Sequence, residues 1–209
     1  MNLKVPLICL AGAALLALAS FDVPAAAQWT AAMDRRDAAP ATWEQLEHTR
    51  WIADGRADAP RKVYVFLDAN CKYCTKFWSD ARPWVNAGKV QLRHVMVGVI
   101  APSSPGKAAT LLADPDPAAR LSAFEQAHAF GVVRMMSGGP RQTLEDPSLA
   151  PMAPVPEALA RTLADHEELM HGFGLLGTPG IVFRSPDGRH VVAKPGLSPE
   201  ELPQVLGPL

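Results

Sequence analysis

The sequence predicts an α/β fold ordered β-α-β, helical insertion, β-β-α, with a helix leading into it. Three observations carry that order. Two apolar runs, KVYVFL and VQLRHVMVGVI, bracket a helical pattern at residues 71–87. Helical patterns interrupted by Pro and Gly then fill residues 102 to 173, and the chain ends on two short β-rich runs around SPDG. With 209 residues, 48% hydrophobic and 20% charged, the chain can bury one sizeable core.

Each element has its own signal. In TWEQLEHTRWIADG, Thr42 can cap the amide of Gln45, and Trp43, Leu46, Glu47 and Arg50 recur at helical spacing until Gly55, which predicts a linker helix. Lys62 to Leu67 reads as a buried strand, rich in β-branched and aromatic residues. From Cys71 to Ala87, apolar residues at 77, 78, 81, 84 and 85 form one stripe, with Pro83 inside it and Gly88 ending it. Val90 to Ile100 is a second buried strand. PEALARTLADHEELMHGF puts Leu159, Leu163, His166 and Met170 on one helical face, after a Pro- and Gly-rich loop over residues 137–156. Two strands, Gly180 to Arg184 and His190 to Lys194, flank the turn residues SPDG and predict a hairpin. Ser198-Pro199-Glu200-Glu201 opens a last short helix with a capping box.

The first 27 residues place Lys4 before an apolar stretch from Val5 to Ala19 and end on Ala25-Ala26-Ala27. This predicts a secretory signal peptide removed before Gln28, because the apolar run is short for a bilayer span. Lys+Arg number 20 against 21 Asp+Glu with no basic run, which offers no footprint for nucleic acid. Cleavage would also remove Cys9, leaving Cys71 and Cys74.

Those two cysteines, in FLDANCKYCTKFW, can be a staple, a metal clamp or a redox pair. As a staple the pair is poor, since closing a four-residue loop is worth only about 2 kcal/mol. A zinc clamp needs about four ligands, and none of His48, His94, His128, His166, His171 and His190 stands at a matching spacing, so no metal site is expected. His166 and His171 read as surface residues. A redox pair fits the placement. Cys71 opens a helix, where unpaired amides and the macrodipole favour a thiolate, and Lys72 adds a positive charge. Together these pull the thiol from about 8.5 towards neutrality. Cys71 is then the attacker and Cys74, one turn on and facing inward, the resolving thiol.

The strand-CxxC-helix arrangement, the distant Thr178-Pro179 in LLGTPGIVF and the secretory leader together resemble the thioredoxin-like catalytic domain of the periplasmic DsbC/DsbG thiol:disulfide interchange proteins, DsbG more closely. The similarity covers most of residues 43–206. It implies a thioredoxin-like fold at residues 61–209, with the helical insertion at about 102–173, behind a leader and linker helix at 28–60. It also implies disulfide exchange with exported proteins in the periplasm, no cofactor, and resetting by a membrane partner of the DsbD type. Thr178-Pro179 would be a cis peptide facing the cysteines and, with Tyr73, the surface that receives substrate. Glu47 matches a position that can approach the active site in DsbG-like members, and Asp68 or Asn70 can cap the helix.

Two departures bear on function. Only about fifteen residues lie between the expected cleavage site and the linker helix, too few for the family's N-terminal dimerisation domain, so a monomer is expected. CKYC also replaces the dipeptides usual in the family. The rival class is a non-catalytic module, chaperone-like or binding copper through the thiols or through Met135, Met136 and Met152.

Overall fold

The structure, a computed structural model, describes residues 40–140 and 149–209. The expected signal peptide with Cys9, the leader up to Ala39 and the middle of the 137–156 loop lie outside the described residues. The chain forms α1 (Trp43–His48), β1 (Ile52–Asp54), β2 (Arg61–Leu67), α2 (Lys72–Asn86) and β3 (Val90–Met96). The insertion supplies α3 (Ser104–Ala113), α4 (Pro117–Met136) and α5 (Glu157–Gly172). β4 (Gly180–Arg184), β5 (Val191–Pro195), a 3-10 turn (Pro199–Glu201) and α6 (Leu202–Leu206) complete the order.

Among the described residues the strands make one five-stranded sheet in the order β1-β3-β2-β4-β5. β2 and β3 run parallel, with Val63 opposite Leu92 and Leu67 opposite Met96; the remaining pairs are antiparallel. β2 is apolar without alternation because both of its faces are covered. On one face Val63, Val65 and Leu67 join Phe77, Ala81, Trp84 and Val85 of α2, along with side chains from all three insertion helices and α6. On the other, Tyr64 and Phe66 meet Trp43 and Leu46 of α1 and Met170 of α5.

The leading helix is shorter than its sequence pattern. Thr42 caps the Gln45 amide as expected, and the Gln45 side chain completes a capping box, but the helix stops at His48 and Thr49 is extended. Ile52 to Asp54 then add an edge strand on β3, before the domain start expected at residue 61. Burial of Ile52 and the ion pair of Asp54 with Arg82 on α2 outweigh the helical spacing. β3 likewise ends at Met96, so residues 97–100 form a loop instead of more strand. The histidine on the apolar face of α5 is no surface residue: His166 is buried and its Nδ1 donates to the Met96 carbonyl at 2.7 Å. His171 is half-buried. Gly106 lets the insertion close on itself, since a Cβ there would stand 2.7 Å from Pro151, beside the Met152 amide that donates to the Gly106 carbonyl.

Candidate active site

The chain leaves the sheet at the C-terminal end of the central strand β2, and residues 68–70 turn it into α2. Cys71 caps that helix. Its backbone is extended and its Sγ accepts from the Cys74 amide at 3.3 Å. The Cys71 amide donates to the Asp68 carbonyl at 3.0 Å. Neither of the expected caps, Asp68 and Asn70, does this work: a sulfur takes the place of an oxygen acceptor at the helix start. Cys71 is only 4% exposed and Cys74 is fully enclosed, and both thiols are free.

The two sulfurs part in acidity. The Cys71 thiol is lowered to about 7, mainly by a hydrogen bond from Cys74; burial opposes this, while the contact with Thr178 and the amides of Cys74 and Tyr73 assist. Burial, then the neighbouring Cys71 sulfur, pushes the Cys74 thiol well above its ordinary value. The Lys72 Nζ lies 5.3 Å from the centre of the Tyr73 ring.

The Thr178-Pro179 peptide is cis and faces the pair, and the Cys71 thiol donates to the Thr178 carbonyl at 3.3 Å. The Thr178 hydroxyl oxygen is buried without a hydrogen-bond partner among the described residues. Tyr73 is 54% exposed. It joins Phe77, Met136, Thr178, Pro179 and Leu197 around a groove of about 600 Å³. Cys71, Cys74, Tyr73, Thr178 and Pro179 are thus gathered in one place. Glu47 is elsewhere: it accepts from Trp43 Nε1 at 2.7 Å and lines a second pocket with Arg61 and Lys62, at the opposite end of β2.

Two further groups that spacing did not reveal act on the cysteines, Asp68 through its backbone and Glu125 through its charge. Asp68, 1% exposed, accepts from the amides of Asn70, Val99 and Ile100 and from the Ser104 hydroxyl at 2.7–2.9 Å, while the buried Lys107 donates to Asn70 Oδ1 at 2.9 Å. This network holds the loop before Cys71 to the loop after β3. Glu125 of α4 is 1% exposed, with neither carboxylate oxygen bonded. Its signal was an acid within the stripe of Leu121, Phe124, His128 and Val132, where an apolar residue belongs.

Comparison with known proteins finds relatives. The chain is 46% identical over 166 residues to the thiol:disulfide interchange protein DsbG of Pseudomonas aeruginosa and 43% identical over 143 residues to that of Escherichia coli, covering 79% and 68% of this chain. The chain is a relative of DsbG. It spans 59% of the length of the Pseudomonas DsbG and 51% of the Escherichia coli protein. No family model matches the chain. Among solved structures, Proteus mirabilis ScsC in a compact conformation superposes with a TM-score of 0.59 at 19% identity, covering 85% of this chain and 83% of that one. The catalytic domain of the same protein gives 0.53 at 18% identity, over 83% and 92%. At such identities the likeness is one of fold, and it establishes the thioredoxin-like architecture of this DsbG relative. Met152, one of three methionines considered for copper, packs half-buried against the core, and Met136 lines the groove beside Tyr73.

Proposed function

We propose that this chain is a protein thiol-disulfide oxidoreductase that exchanges disulfides with exported proteins in the periplasm, reached through the N-terminal signal peptide. The observation that carries the reading is the Cys71 sulfur, seated as the cap of α2, lowered to about 7 and held against the cis Thr178-Pro179 peptide. The Cys71 thiolate attacks one sulfur of a client disulfide, and the other client sulfur leaves as a thiolate with the electron pair of the broken bond. Cys74 then attacks Cys71, a Cys71–Cys74 disulfide forms, and the second client thiol is released reduced. Run backwards, the same steps oxidise the client. The Thr178 backbone offers its edge to an extended client segment, with Tyr73 beside it and the groove taking the residues that follow. Lys72 adds positive charge at the mouth. A membrane thiol donor of the DsbD type returns the pair to the dithiol form, and the working species is a monomer, which sedimentation checks.

The test uses the reduced protein. Alkylation of Cys71 by iodoacetamide follows the thiolate fraction, so its rate rises through an inflection near pH 7 and levels above it. With Cys74→Ser, the complex with a disulfide-bonded client accumulates as a mixed disulfide; Cys71→Ser forms none. A Cys71 inert to alkylation at neutral pH, or a Cys74→Ser protein that traps nothing, would overturn the assignment.

A further inference from the structure

The exchange proposed above asks something of Cys74 that its surroundings make difficult. Cys74 has no solvent contact, and as the resolving thiol it must lose a proton as its sulfur bonds to Cys71. Glu125 of α4 stands unused against the same helix, because α4 packs along α2. A buried carboxylate with no partner is costly, and such a group stays neutral until its surroundings change. Its pKa is pushed up to about 8, by burial first and then by negative charge on Cys71 and Asp54; Thr75, close by but hydrogen-bonded to neither oxygen, and Arg82 pull the other way. Charge on Glu125 in turn raises Cys74.

Few other ionisable groups reach this interior. α2 presents Cys71, Cys74 and Arg82. β1 presents Asp54, paired with Arg82 and held by His94 of β3 at 3.2 Å. From α3 come Lys107, which bonds to Asn70, and Asp114, which pairs with Arg120 of α4. His128, a turn along α4, contacts the Phe124 carbonyl through Nδ1 at 2.7 Å. The cations thus have partners, and Glu125 is the carboxyl group in this cluster without one.

We propose that Glu125 is the proton acceptor of the resolving step: as the Cys74 sulfur attacks Cys71 in the mixed disulfide, the Cys74 proton passes to the Glu125 carboxylate. The Cys71–Cys74 bond forms, and the client sulfur departs as a thiolate with the electrons of the broken bond. Charge sets the timing. While Cys71 is a thiolate, its charge adds to burial in discouraging ionisation of Glu125; once Cys71 is bonded to the client that charge is gone, and Glu125 gives up its own proton more readily ahead of the step that needs a base. The helical insertion is then part of the machinery, since α4 carries the acceptor.

This inference rests on the exchange reading, and the two are tested apart. In stopped-flow reaction of the reduced protein with glutathione disulfide, capture by Cys71 and release by Cys74 are followed separately between about pH 5 and pH 9. Glu125→Gln should slow release by about a hundredfold at neutral pH, the low end of a general-base contribution, and remove its inflection from the wild-type profile. In parallel, carbon-13 NMR follows the Glu125 carboxyl of the wild-type chain, with Cys71 either free or blocked by iodoacetamide; blocking should move its titration to lower pH. Absence of capture in the wild type overturns the exchange reading and this one with it. Capture followed by release at an unchanged rate in Glu125→Gln overturns this one alone. If that variant does not fold, a Glu125 titration indifferent to blocking of Cys71 overturns it.

Discussion

Cys71 caps its own helix, and its acidity follows from the hydrogen bonds it accepts, that of Cys74 first and those of the backbone amides after it. The two cysteines and the Thr-Pro were legible because their spacing and chain order are themselves the signal. Asp68 was not. Its sequence neighbours suggest a helix cap, whereas its partners, the Val99 and Ile100 amides and Ser104, come from a loop some thirty residues later that no local pattern connects to it. Glu125 was hidden in the same way, its meaning fixed by the partner helix. Asp68 offers a direct check. Removing a buried carboxylate that satisfies several donors leaves those donors unpaired, so Asp68→Ala should cost about 3 kcal/mol or more in urea unfolding, and Asp68→Asn somewhat less. A loss under about 1 kcal/mol would mean that the loop holds without it.

Among the elements, β1 is the clearest case of long-range contacts overruling local preference. WEQLEHTRWIADG keeps a helical rhythm throughout, yet three residues of it leave the helix to pair with β3. Asp54, at the end of that strand, grips Arg82 on α2, and the Arg82 guanidinium lies 3.9 Å from the centre of the Trp78 ring. Burial alone would raise the Asp54 carboxyl, but hydrogen bonds from His94 and Arg82 outweigh it and hold it well below the usual carboxylate range. A depressed carboxyl contributes stability at pH values above its unfolded pKa and loses it as the pH falls through the folded one. Arg82→Ala should therefore cost about 3 kcal/mol at neutral pH, with a smaller difference from wild type in acid, read from paired urea titrations. An equal loss at both pH values would assign the effect to lost packing on Trp78. The longer elements β2, α2 and α5 were legible because their apolar stripes are also their buried faces.

For the molecule as a whole, the chain order from β2 to the last helix was legible in the sequence, while the edge strand β1 and the interior charges were not. Those charges make stability depend on pH. The Glu125 carboxyl is raised from 4.5 to about 8, so its favourable share is complete below its unfolded pKa and is lost as the pH rises through 8. Relative to Glu125→Gln, the wild-type chain should lose about 1.4 kcal/mol per pH unit between those limits. Taking the difference cancels groups common to both proteins, including His166, which burial depresses. Parallel curves for the two proteins from pH 5 to 7 would contradict the burial of that carboxyl. The enclosure of Cys74 has a last, practical result: the folded dithiol exposes one handle to chemistry where its formula promises two. Mass spectrometry after brief labelling should count a single adduct on this pair in the native chain and two once urea opens it. The same asymmetry shields the rear sulfur from stray peroxide and, on the exchange proposed above, obliges every electron to enter and leave by the front.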